Sequence, residues 1–240
     1  MTVRRTHLLL APLAAVLLMA GCGSTDGEAD PASTAAGSSS SAAGPSSEPA
    51  PAEAEASAEA AADPAAATTP AEAALATALR ATDLPEGWTV QANPVPDGDL
   101  ADNPTLDGLC SASFSSEGQR TAKFPVVGID PAGRPAVTSE AVAYGSADGA
   151  ALALTELRTA FAACESPEQR FGEPPSTEGL TADAVAVQYQ LTTGTTQVIV
   201  AQARGAVVSI MVSDDPAVTL SAARSVATRM AQLPAAVIGA

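Results

Sequence analysis

Few residues in this chain of 240 have chemistry to offer: the cysteines Cys22, Cys110 and Cys164, the lone lysine Lys123, the lone histidine His7, and the aspartates Asp97, Asp99, Asp102 and Asp107. His7 lies in an N-terminal stretch with the features of a cleavable leader, so the mature chain is expected to carry no histidine. That excludes Ser-His-Asp and Cys-His nucleophilic catalysis, the common zinc sites and histidine general bases. Arg120, not serine, stands three residues before Lys123, so the Ser-x-x-Lys arrangement of acyl transfer is missing as well. There is no P-loop and no Gly-x-Gly-x-x-Gly following a strand. The aspartates raise calcium coordination, but Ala101 stands where an EF-hand places its third ligand and no glutamate closes the loop. A solvated acidic loop is the expectation, with no metal and no other cofactor. Carboxylate-only hydrolysis remains a minor alternative, because any acidic chain contains many candidate pairs.

Cys22 stands at the end of the leader. Arg4, Arg5 and His7 precede an apolar run from Leu8 to Met19, which is too short to cross a bilayer as a helix and has the length of a signal-peptide core. The junction Met19-Ala20-Gly21-Cys22 resembles a bacterial lipobox, with Met19 in the place usually held by leucine. The cysteine of such a box receives a diacylglycerol, is commonly palmitoylated, and becomes the mature N-terminus. Each buried CH₂ of an acyl chain contributes about 0.8 kcal/mol, so two or more chains hold a domain firmly on a membrane. From Gly23 to Pro70 no base, no aromatic and no aliphatic side chain larger than alanine occurs. Such a segment cannot build a core and behaves as a tether with a reach of roughly 40 Å. The expected division is therefore a lipoprotein signal peptide over 1–21, a disordered Ala/Ser/Pro/acid tether over 22–69 and a folded domain over 70–240.

If Cys22 is used for lipid attachment, Cys110 and Cys164 remain as an even pair in an oxidising compartment, and a disulfide between them follows by arithmetic. Two free thiols are the alternative. Cys164 ends the stretch from Val137 onward that organises the domain. Alternation through Tyr144 reads as a strand, Ser146 as a helix N-cap with Asp148 in the first turn, and Leu154, Leu157, Phe161 and Cys164 share one helical face.

The other elements follow from the same rules. Thr69-Pro70-Ala71-Glu72 is a capping box with proline at the first helical position, predicting a helix that carries Leu75 and Leu79 and ends near Asp83. Trp88 opens a short strand as a core or edge anchor. Residues 93–108 form an irregular loop, and Phe124 to Ile129 a strand. The segment from Glu165 to Thr181 reads as a second loop. Val185 to Leu191, Val198 to Ala203 and Val207 to Val212 are then three strands of a meander, with turns at Thr193-Gly194 and Arg204-Gly205. Asp215 caps a final helix starting at Pro216, with Leu220, Ala223, Ala227 and Met230 inward and Arg224 and Arg229 toward water.

The formal net charge is −16, and about −18 once Arg4 and Arg5 leave with the leader. No nucleic-acid partner is expected of so acidic a chain without a basic face. The order of features resembles the actinobacterial lipoproteins and mycobacterial PknH-type receptor Ser/Thr kinases that share an extracellular sensor domain. The features are the lipobox at Cys22, the long tether, a strand, a helix ending in cysteine, the three-stranded meander and a C-terminal helix. The likeness covers about Leu84 to Leu233. It implies a sensor-like α+β domain: a twisted antiparallel sheet of about five strands, helices packed on one face, and a groove for an unknown ligand. Kinase-type members usually carry two disulfides, whereas this chain has cysteines for one.

The function expected is a binding or sensory domain without catalytic activity, lipid-anchored on the extracytoplasmic face of the cell membrane. Its partners are the membrane, through the N-terminal anchor, and an unknown envelope ligand or protein. The alternative is a carrier of lipid or glycolipid in the cell envelope.

Overall fold

The computed structural model describes residues 62–93, 100, 103–106, 109–164 and 169–240. Residues 1–21, Cys22, most of the tether and the aspartates at 97, 99, 102 and 107 lie outside the described residues. The chain forms helix α1 (Pro70–Thr77), strands β1 (Thr89–Ala92), β2 (Arg120–Ile129) and β3 (Pro135–Tyr144), and helix α2 (Ala147–Ala162). It continues through β4 (Gln169–Phe171), β5 (Val185–Leu191), β6 (Thr196–Arg204) and β7 (Val207–Ser213) to α3 (Pro216–Met230) and the short α4 (Ala235–Ile238). The seven strands make one antiparallel sheet in the order β1-β2-β3-β7-β6-β5-β4.

Among the described residues there are seven strands where about five were expected. The strand missed outright, β4, is three residues long and sits between prolines and glycines, too short to show alternation. The expected placement of helices on one face is also corrected, since both faces are covered. Val137, Ala141 and Ala143 of β3 pack with Val200, Val207 and Met211 against α1 and α3, whereas Val142 and Tyr144 pack with Ile199, Ala201 and Val208 against α2. The sequence carries a sign of this in Val198 to Ala203, which is buried at every position. A run apolar on consecutive residues belongs to a strand covered on both sides.

The helices begin where their caps predict. Ser146 Oγ accepts from Gly149 N at 3.1 Å, and Asp215 Oδ1 accepts from Ala217 N and Val218 N at 2.9 and 3.1 Å. Thr69 Oγ1 accepts from Glu72 N at 3.1 Å, but the Glu72 carboxylate reaches Thr68, taking bonds from its N and Oγ1. Packing starts upstream of Pro70, where Asp63 caps a turn over Pro64–Ala66 and Ala67 is buried in the core. Helix α1 stops at Thr77 rather than near Asp83, and Leu75, expected inward, is 47% exposed. A separate 3₁₀ turn, Ala81–Asp83, follows and carries Asp83 inward. Among the described residues no helix is long and apolar enough to cross a membrane.

Candidate functional site: a clamped loop and an open cleft

Cys110 and Cys164 are joined, with their Cα atoms 5.1 Å apart and their positions 54 apart in sequence. The bond ties the segment before β2 to the end of α2. Two cations fasten the same segment to the sheet. Arg120 donates through Nη1 to Asn103 O at 2.7 Å and through Nη2 to Leu100 O at 2.5 Å, while pairing with Glu117 at 3.1 Å. Lys123, considered above only for acyl transfer, is buried. It pairs with Glu140 at 2.8 Å and donates to the carbonyls of Asn103 and Pro104. Glu117 completes the clamp by accepting from the amides of Thr105 and Leu106. Buried charges are tolerated where every one of them finds a partner. Tyr144 lies beneath this cluster, its phenol pushed far above the ordinary value by burial and then by the Glu117 charge.

Glu156 on α2 holds the neighbouring turn, Ser115–Gln119. Its Oε1 accepts from Ser115 N and Oγ at 3.0 and 2.5 Å, and its Oε2 from Ser116 N at 3.1 Å. Partial burial works against the carboxylate, but the combined hydrogen bonds from Ser115 and Ser116 outweigh it and hold the group below the usual carboxyl range. A depressed carboxyl contributes stability that is present above the unfolded value and lost as pH falls through the folded one. Glu156→Gln is therefore expected to melt lower than the parent near neutral pH, with the gap closing below about pH 4. Paired melting curves across that range check it, and a gap independent of pH would contradict it.

Arg229, expected to face water, turns inward. Its Nη1 and Nη2 donate to the two Asp83 oxygens at 2.5 and 2.7 Å, and Nη2 also donates to Ala78 O at 3.0 Å. This pair locks α3 to the end of the α1 segment. Arg224 remains nearer the surface and donates from Nε to Glu178 O at 2.9 Å.

The cleft lies at the end of the sheet, over the turn between β6 and β7, with a volume of about 740 Å³. One wall is the first turn of α2, with Asp148; another is the end of α3, with Ala227 and Thr228; a third is the strap Gly179–Asp183. The floor is Ala203-Arg204-Gly205. Gly205 is required there: its φ is +54°, and a Cβ would stand 2.2 Å from the Ile238 carbonyl oxygen, which accepts from Ala206 N at 2.7 Å. Three side chains hold the strap. Gln202, buried within β6, accepts from Thr181 N at 3.2 Å and donates to Ala223 O at 2.8 Å; Arg158 donates to Asp183 O, and Arg224 to Glu178 O. A smaller cleft of about 430 Å³ adjoins it, sharing Ala147, Asp148 and Gly239.

Of the residues singled out in the sequence, Cys110 and Cys164 are brought together and Cys22 lies outside the described residues. Among the described residues no group of three or more His, Cys, Asp or Glu is placed to hold a metal ion. The cleft had no sequence signal beyond the glycine at position 205. Alanines and glycines from five separate segments line it, and nothing local distinguishes them from the many others.

No protein-family model matches the chain, and no curated protein matches it in sequence. Among solved structures, the crystal structure of the extracellular domain of PknH from Mycobacterium tuberculosis is weakly similar in backbone. It aligns with a TM-score of 0.37 at 14% identity, over 59% of this chain and 75% of that one.

Proposed function

We propose that the chain is a lipid-anchored, extracytoplasmic binding or sensory domain without catalytic activity of its own, tethered to the membrane through Cys22. In this reading it presents the cleft at the β6–β7 turn to an envelope ligand or protein partner. The Cys110–Cys164 disulfide supports this most directly. Structural disulfides persist in oxidising compartments, and this one uses both cysteines of the folded domain, leaving Cys22 as the remaining thiol. The disposition of charge supports it too. Lys123, Arg120 and Arg229 are committed to carboxylates and carbonyls that fasten loops and helices, a use suited to a rigid binding scaffold.

The test is detergent phase partition of the full chain expressed in a high-GC bacterial host, with intact-mass analysis. The parent is expected in the detergent phase, beginning at a diacylglyceryl Cys22. Cys22→Ala is expected in the aqueous phase or as the uncleaved precursor. A parent chain in the aqueous phase, cleaved elsewhere and free of lipid, would overturn the anchored reading.

A further inference from the structure

Some cations of the fold are paired with carboxylates and others, Arg80 among them, bond only to main-chain carbonyls. Among the described residues, Arg120, Lys123, Arg134 and Arg229 are each neutralised by a carboxylate. The three arginines around the cleft instead bond to main-chain carbonyls. Arg158 and Arg224 are engaged in holding the strap. Arg204 stands in the cleft itself, half-buried, with Nη1 tied to Met230 O at 2.9 Å. Its Nε and Nη2 make no hydrogen bond among the described residues. Asp148 and Asp183 line the same cleft, both exposed and neither in an ion pair among the described residues.

We propose that this cleft takes a small zwitterionic ligand of the amino-acid or short-peptide class, its carboxylate on Arg204 and its ammonium toward Asp148 and Asp183. The inference rests on reading the chain as a binding domain and names the ligand class of that site. A purely anionic ligand would face two carboxylates, and a purely cationic one would face a guanidinium. A zwitterion satisfies both. Guanidinium and carboxylate match as a two-pronged, charge-assisted pair, and Arg204 has the donors for it. The remaining wall offers methyl groups and bare backbone at Ala203, Gly205, Ala227 and Ala231. It admits a peptide with small side chains and provides no aromatic face on which a sugar ring or base would stack. The volume of about 740 Å³ falls within the range of small-molecule sites.

Trialanine is the probe, titrated calorimetrically into the full chain in detergent beside N-acetyl-trialanine and trialanine amide. Trialanine is expected to bind with Kd of about 1 mM or tighter, and blocking either end to weaken it about tenfold or more. Arg204→Gln, confirmed folded by its melting curve, is expected to weaken trialanine by a similar factor. Arg170→Gln, on β4 and outside the cleft, is expected to leave it unchanged. Should Arg204→Gln fail to fold, the blocked peptides on the parent protein decide alone. No binding up to about 10 mM, or equal binding of the blocked peptides, overturns the proposal, as does undiminished binding by a folded Arg204→Gln. Silence toward trialanine in a chain that still partitions into detergent rejects this ligand class and leaves the anchored reading standing. Loss of partition bears on the anchored reading alone.

Discussion

Replacing Asp83 with asparagine is expected to destabilise the domain by about 3–5 kcal/mol, the range for breaking one side of a buried ion pair. The Asp83 side chain is 3% exposed and the Arg229 side chain 12%. The carboxylate accepts from both Nη atoms of Arg229 and from Arg80 N at 2.8 Å. Asparagine keeps the shape but removes the charge. It leaves the Arg229 guanidinium buried beside that of Arg80, whose own ionisation is already disfavoured by burial and then by the Arg229 charge. The asparagine Oδ1 can still accept on one side, but its NH₂ faces a donor on the other, and Arg229 keeps its bond to the Ala78 carbonyl. The measurement is urea unfolding of Asp83→Asn against the parent, with Asp83→Leu combined with Arg229→Met as a second variant. Because most of the loss is the cost of an orphaned charge rather than the worth of the pair, the double variant should recover much of it. A change of less than about 1 kcal/mol in Asp83→Asn would reject this account, since that is the value of an exposed pair.

The second large effect is expected at the disulfide. Cys110→Ser should cost about 2–3 kcal/mol. Closing a loop of this length removes about 4 kcal/mol of chain entropy from the unfolded state in the simplest model. Some of that is returned in the variant, because Cys110 and Ser111 both sit in the left-handed region, at φ 52° and 56°, and are the only described residues other than glycine to do so. Each costs roughly 1 kcal/mol and relaxes once the bond is gone. The loss should be local in its first consequences. Arg120, Lys123 and Glu117 continue to hold Leu100, Asn103 and Leu106, and Glu156 continues to hold Ser115 and Ser116. Hydrogen exchange should therefore quicken over 109–114 and at the end of α2 well before it does in β6 or β7. Uniform loss of protection across the sheet, or an unchanged melting temperature, would contradict this.

Much of the scaffold was legible in short windows of sequence. The N-caps at Thr69, Ser146 and Asp215 depend on one side chain and the amides two or three residues away, so their types at those spacings are enough. The strands β3, β5, β6 and β7 announce themselves by β-branched content and by turns at Gly194 and Gly205, both of positive φ. Less was visible where an element is too short to have a period, as with β4, or where a helix stops before Ala78 and a separate turn carries Asp83 to Arg229. Helices on both faces of the sheet could have been read from the consecutive apolar residues Val198 to Ala201 of β6, whereas the resemblance implied helices on one face.

By itself the sequence determined the lipobox-like spelling around Cys22, the absence of histidine after His7 and the acidic balance, and its cysteine count made Cys110 and Cys164 the expected pair. These depend on residue identity, number or local spacing, which folding does not alter. Only the tertiary structure decided that Arg229 turns inward to a residue 146 positions away, that Lys123 is spent on Glu140, and that Arg204, Thr181, Asp148 and Asp183 meet around one cleft. Their partners are chosen by how α1 and α3 cross one face of the sheet and α2 the other. No local rule carries that information, because side chains far apart in the chain are brought together by burial of apolar surface elsewhere, and the polar contacts are whatever that packing leaves within reach.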